Sequence, residues 1–416
     1  MSNSERPRGD SKSQRPQSSA REAATDVARR LIAEGFTAYF AGGCVRDDLL
    51  GLEPIDFDLA TDAHPHDIAR IFRSARSVGE SFGVMLVRSL GRATEVATFR
   101  TDGKYEDGRR PSEVRFASAA EDAGRRDFTI NGLFQHPLTK EVVDFVQGQS
   151  DLKAGVLRAI GDPGARLNED RLRTLRAARF AARFSLRVDP STASAIANAA
   201  CDLTGVSRER IGGELRRMLS HETRARAIEL IEEWGLDAPA LRESNSTGLL
   251  TRVAALPSDA SFATALAAWR FDRAARPGAG APSQWRDPIN LSARESSDLD
   301  AICAIVERLR GEWSTLSVAA QKRLAARATF APALAVVGGE NPAQCKVVSE
   351  QVAVLAAEHG GLEPIPLVTG GDLIALGCTP GPRFKAILDA LYDRQLEGVI
   401  TEREQAQGVA RAEWFS

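Results

Sequence analysis

No stretch of this 416-residue chain reaches about eighteen consecutive apolar residues, so a membrane-spanning helix is excluded. Cysteine is scarce. Cys44, Cys201, Cys303, Cys345 and Cys378 are widely scattered, no pair has metal-ligand spacing, and an odd number builds no disulfide framework. A reducing cytoplasm is the expected compartment. No Gly-Lys-Ser/Thr follows a glycine turn, which removes a Walker-type phosphate loop. Neither charge sign dominates: 54 Lys and Arg face 56 Asp and Glu, for a net charge of −2. That balance neither announces nor excludes a nucleic-acid partner, because a basic face matters more than a total. The opening MSNSERPRGDSKSQRPQSSAREAA has almost no bulky apolar residue and no secretory core, so residues 1–20 are expected to be a disordered tail.

With 43% hydrophobic and 26% charged residues, the chain has a globular composition, long enough for about two to four domains. Residues 25–34 read as an amphipathic helix stopped by Gly35. FTAYFAGG reads as a strand entering a Gly-Gly turn, CVRDDLLG as a helix start, and PIDFDLAT as a short strand. HPHDIARIFRS reads as a helix with Pro65 in its first turn. FGVMLVRSL and RATEVATFR alternate as paired strands do, and RRDFTING and EVVDFVQG complete a mixed region ending near residue 150. Beyond it the pattern is helical, with a flexible break expected at RAARPGAGAPSQWRDP and a last compact unit at 367–408. The fold class expected is α+β: a small mixed sheet first, helices after.

Asp56 and Asp58, in EPIDFDLATDAHP, are one residue apart on a predicted strand and therefore point the same way. Two adjacent carboxylates repel, and each raises the other's pKa. Mg²⁺ reverses this, because it takes carboxylate oxygen and completes its shell with water and substrate phosphate. Taken alone, the pair is explained by a solvated edge strand. Glu95, on a strand expected to lie nearby, can supply a third carboxylate to a two-metal site with ions about 3.5–4 Å apart. Gly42 and Gly43, followed by a helix start, can present backbone N–H groups to phosphate oxygens, and Arg46 can add a charged contact. Such a turn a dozen residues before the aspartates suits nucleotidyl transfer.

RRDFTIN places Arg125, Arg126, Asp127 and Asn131 around Phe128 and Ile130, offering phosphate clamps and polar groups for a ribose hydroxyl. NEDRLRTLRAARF carries Glu169, Asp170, Arg173 and Arg176 in the order E-D-x-x-R-x-x-R. On a helix Asp170 and Arg173 are neighbours at i,i+3. A carboxylate only accepts hydrogen bonds and a guanidinium only donates them. Cytosine and adenine both present an amino donor beside a ring-nitrogen acceptor, whereas uracil and guanine present the reverse. An Asp–Arg pair can thus accept C and A and reject U and G without a template. Taken alone, the spacing is better explained by a plain i,i+3 surface ion pair, which is very common.

In this order and spacing, GGCVRDDLLG, DFDLAT, EVATFR, DGKYEDGRRP, RRDFTIN, NEDRLRTLRAARF and SRERIGGELRRML resemble the bacterial class II tRNA nucleotidyltransferase and poly(A) polymerase family. The likeness covers roughly residues 36–220, about half the chain. The stretch from LVTGGDLIALG to ITEREQA is similar to the tail of CCA-adding members. The resemblance implies a nucleotidyltransferase head at 21–150 and a helical neck at 151–220 for nucleotide selection. A body at 221–360 and a tail at 361–416 would bind RNA. It implies Mg²⁺ on Asp56 and Asp58 with Glu95 as third carboxylate, Arg126 near the phosphates, Asp127 near the sugar, and Asp170 and Arg173 as the protein template for CTP and ATP. It implies tRNA as partner. Asp102–Pro111 is similar to the flexible loop that complete CCA-adding members use to switch from C to A. With five histidines in the chain, His64 and His66 read as helix-start residues, and no His-Asp phosphohydrolase cluster is expected. Poly(A) synthesis, A-only addition and a non-catalytic RNA-binding protein are the alternative functions. The oligomeric state is not legible.

Overall fold

Ser19 opens the first helix. Its hydroxyl accepts from the Glu22 N–H while the Glu22 carboxylate accepts from the Ser19 N–H, a reciprocal cap written as S-x-x-E. Helix α1 (Ala20–Ala33) therefore begins about five residues before the apolar period suggested, and Gly35 ends it at φ +91°. The computed structural model describes residues 19–78, 83–102, 114–200, 202–277, 285–358 and 360–414. The chain divides into two compact units, Met1–Val206 and Ser207–Ser416.

The first unit holds a seven-stranded mixed sheet in the order β3-β4-β5-β2-β1-β8-β9. Its strands are β1 (Ala38–Ala41), β2 (Leu59–Thr61), β3 (Arg76–Ser77), β4 (Val84–Ser89), β5 (Arg92–Thr98), β8 (Leu133–Gln135) and β9 (Val142–Asp144). A separate pair is formed by β6 (Arg100–Asp102) and β7 (Val114–Phe116). The expected hairpin is present: β4 and β5 pair antiparallel from Val84↔Ala97 to Ser89↔Arg92. Leu90 and Gly91, both at positive φ, make its two-residue turn. Helix α2 (Gly43–Leu49) follows β1, and α3 (Pro65–Ile71) starts on Pro65 as expected. One apolar core joins Val27 and Leu31 of α1 and Ile68 of α3 to Phe40, Leu59, Val87, Val96 and Leu133 of the sheet. On a second core, Ala123 of α4 (Ala119–Gly124) packs with Ala41, Ala60, Phe99 and Phe134, and α5 (Gly148–Lys153) follows β9.

Two expectations need correction. PIDFDLAT is strand only at its end, since β2 starts at Leu59 and both aspartates lie in the lead-in. The stretch carrying Asp170 and Arg173 is not one helix. Helix α6 (Pro163–Glu169) stops, Asp170 is extended at φ −148° and ψ 100°, and α7 (Leu172–Arg183) begins after it. The Asp170 carboxylate instead accepts from the Leu172 N–H, the capping use that short acidic side chains favour.

The second unit is helical throughout its named elements, among them Arg208–Leu219, Phe262–Ala274, Ala293–Gly311, Phe330–Glu340 and Pro382–Leu396. Val368, Leu373, Ile387, Leu391, Ile400, Ala406 and Ala410 form a core of their own near the C-terminus, where a last compact unit was expected. The loop expected at Asp102–Pro111 lies outside the described residues apart from Asp102, as does the centre of the break expected around residues 278–284. Among the described residues no helix is long and apolar enough to cross a membrane.

Candidate active site

Phe57 anchors the two aspartates. Its ring is 7% exposed and lies 5.0 Å from that of Phe40, while Asp56 and Asp58 on either side reach solvent. The Ala41 N–H donates to the Asp58 carbonyl at 3.0 Å, which holds the lead-in against β1. Strands β2 and β5 pair parallel with Leu59 opposite Val96, so Asp58 stands beside Glu95. Asp56, Asp58 and Glu95 line a single cavity of about 430 Å³, together with Ala20, Phe57, Leu86, Arg92, Ala93 and Thr94. Although its side chain reaches solvent, the Asp58 carboxyl is pushed up to about 6. Desolvation by the cavity wall is the main cause, Glu95 and Asp56 add to it, and Arg126 opposes.

These residues fit a hard cation by chemistry, as an all-oxygen set whose crowded charge a cation relieves. Among the described residues no three His, Cys, Asp or Glu side chains form a ready-made cage.

Gly42 ends β1 at φ +73° and is the N-cap of α2. That positive φ favours glycine, and a Cβ there would lie 2.7 Å from an Arg126 guanidinium nitrogen, so any larger residue would also have to displace the Arg126 side chain. Gly43 follows as the first residue of α2. Arg46 is buried. It donates to Asp47 at 2.6 and 2.9 Å and to the Asn131 side chain, and stacks over Phe184 at 4.4 Å. Its guanidinium thus ties α2 to α7 and to Asn131. Arg126 donates to Asp122 and to the Asn131 carbonyl.

Asp122 was not singled out from sequence, yet it holds both Arg125 and Arg126 at 2.7–3.2 Å. Burial alone would push its carboxyl up, but Arg126 and Arg125 leave it below the usual range. The signal was present in EDAGRRD, with Asp122 at i,i+3 and i,i+4 from the two arginines.

Asp127 is buried and accepts from the Phe128 N–H, the Asn131 amide and Arg176. Burial would raise its pKa, but Arg176 and these hydrogen bonds bring it to about 2. A depressed carboxylate stabilises the fold above its unfolded pKa and ceases to do so as pH falls through the folded value. The contribution is on the order of 2 kcal/mol, complete above about pH 4 and lost by about pH 2. Denaturant unfolding from pH 2 to 7 is expected to show Asp127→Asn less stable than wild type near neutrality, with the gap closing below about pH 4.

Arg173 lies in the first turn of α7. Its guanidinium donates to Glu169 at 2.6 Å and to the carbonyls of Arg166 at 2.7 Å and Arg125 at 3.3 Å. Glu169, rather than Asp170, is thus its carboxylate partner in these contacts. Arg176 reaches Asp127 one turn later and stacks over Phe180 at 5.2 Å. The expected site residues therefore form two groups: the carboxylates at the cavity, and Arg46, Arg126, Asp127, Asn131, Arg173 and Arg176 in one polar network beside the Gly42 turn.

Residues 38–158 match the profile of the Poly A polymerase head domain, and residues 185–246 that of the probable RNA and SrmB-binding site of polymerase A. The CCA-adding enzyme of Limosilactobacillus fermentum is 33% identical over 92% of this chain and 94% of its own length. That of Lacticaseibacillus paracasei is 39% identical over 60% of this chain and 62% of its own length. Among solved structures, the Bacillus stearothermophilus CCA-adding enzyme in complex with CTP superposes with a TM-score of 0.76 at 26% identity, covering 94% of this chain and 98% of that one. A likeness that runs through both compact units makes this chain a member of the bacterial CCA-adding enzyme family, whose head domain is shared with poly(A) polymerases.

Proposed function

We propose that the chain adds C, C and A to the 3′ end of tRNA, taking CTP and ATP and releasing pyrophosphate, with no nucleic-acid template. The observation that carries this is the convergence of Asp56, Asp58 and Glu95 on one cavity, one strand away from the Gly42 turn. The work is done in the head, 21–150, with nucleotide selection in a neck at 151–220 and RNA binding by a body at 221–360 and a tail at 361–416. The bacterial cytoplasm is its compartment.

Asp56 and Asp58 would hold Mg²⁺, with Glu95 as third carboxylate. When bound, the ion supplies charge neutralisation at the triphosphate and a more acidic primer hydroxyl. The chain's own residues provide the positioning. Gly42 and Gly43 bring backbone close to the phosphates, and Arg126, steadied by Asp122, adds positive charge beside Asp58. Asp127 keeps Arg176 and Asn131 in place on the sugar side, and Arg46 holds Asn131 from the other direction. Asp170 and Arg173 present an acceptor and a donor to the base. The primer's 3′ oxygen attacks the α-phosphorus and the bond to pyrophosphate breaks, with no covalent enzyme intermediate.

The test uses a tRNA transcript lacking its terminal CCA. CTP alone is expected to add two residues, and CTP with ATP three, after which extension stops. Long A tracts from ATP alone would instead establish a poly(A) polymerase.

A further inference from the structure

The catalytic cavity has a side. In the sheet order β4-β5-β2-β1-β8, the aspartates lead into β2. The Gly42 turn follows β1, and Arg126, Asp127 and Asn131 precede β8. Every feature assigned to the incoming nucleotide's phosphates and sugar thus lies on the β1–β8 flank of the aspartates. The cavity lies on the opposite flank. Its walls come from Ala20 of α1, Leu86 of β4, and Arg92, Ala93, Thr94 and Glu95 of β5, with none from β1, β8 or α7.

In-line phosphoryl transfer places the attacking oxygen opposite the leaving group. If pyrophosphate leaves toward the β1–β8 flank, the attacking hydroxyl enters from the β4–β5 flank. An RNA 3′ end arriving there brings phosphodiester charge against three carboxylates and needs a compensating cation. Among the residues lining the cavity Arg92 is that cation. Ala20, Leu86 and Ala93 offer an apolar wall to a ribose or base. A volume of about 430 Å³ is within the range of small-molecule sites and admits a terminal nucleotide.

We propose that Arg92 binds a backbone phosphate at the 3′ end of the primer RNA and so positions the attacking hydroxyl over Asp56 and Asp58. Arg92 already makes a contact within the chain, and five donors let one guanidinium keep it while reaching a phosphate. The inference rests on the nucleotidyl-transfer reading above.

The test is steady-state kinetics of the full-length chain on tRNA lacking its CCA end, for wild type, Arg92→Ala and Arg92→Lys. Arg92→Ala is expected to raise the KM for tRNA about tenfold or more, with KM for CTP and ATP unchanged. The slope of log(kcat/KM) for tRNA against log salt should shrink by about one unit, and Arg92→Lys should restore most of both. Melting temperatures within a degree or two of wild type would set aside a purely structural loss. An Arg92→Ala enzyme with normal KM and salt slope for tRNA, or with a raised KM for CTP and ATP instead, overturns the assignment and leaves the reaction standing. A wild-type chain that does not extend the tRNA overturns both.

Discussion

Asp58→Asn is expected to cost at least about 10³-fold in kcat/KM for both CTP and ATP while leaving the head folded. Asparagine keeps the shape and one oxygen of the side chain but removes the charge that a hard cation needs. The fold should not suffer. Asp58 makes its ladder contact through the backbone carbonyl, which the substitution keeps. Its carboxyl is already held above the ordinary range by the cavity wall, Glu95 and Asp56. Removing one of three crowded charges is therefore expected to leave the melting temperature in chelator unchanged or raised. Activity lost with stability kept is the signature of a site built at the expense of local electrostatics. Near-normal turnover by this variant would end the metal role of the pair.

Arg173→Ala is expected to lower kcat/KM for CTP and ATP about 10²-fold and to shrink the preference over UTP and GTP. The geometry supplies the reason. Glu169 and two backbone carbonyls fix the plane of the guanidinium, so its donors point in one direction before any base arrives. On the proposed template role, a donor fixed in this way would discriminate by leaving the wrong base edge unpaired. Arg173 is buried, so alanine also removes packing. Arg173→Lys separates the two effects, because lysine keeps charge and most of the stem without the planar fork. It should be the more stable of the two variants and still select poorly. Single-nucleotide incorporation with each of the four triphosphates reads the outcome, and unchanged rejection of UTP would place selection elsewhere.

Much of the head was legible. Alternation announced the β4–β5 hairpin, and Pro65 announced the start of α3. Ser19-x-x-Glu22 carries a cap signal that the reading by apolar period passed over, and it would have placed the start of α1 more accurately. The helix break at Asp170 was not legible, because the run after it is strongly helix-forming and a single aspartate can be either a surface residue or a cap. Arg46 and Asp127 were recognisable as polar residues near a site. That Arg46 also stacks on Phe184, and that Asp127 pairs with Arg176, depends on α7 folding back against the head.

That Asp56 and Asp58 line one cavity came from the fold, since they stand in an irregular lead-in where period-two strand geometry does not apply, whereas the sequence by itself determined where the acids lie along the chain. It also determined which side chains accept and which donate. The parallel register of β2 with β5 was decided only by the tertiary structure. It sets Glu95 beside Asp58, drives the carboxyl up to about 6 and opens the cavity that Arg92 enters. Desolvation and charge crowding arise between segments distant in the chain, so they do not exist until the strands have met.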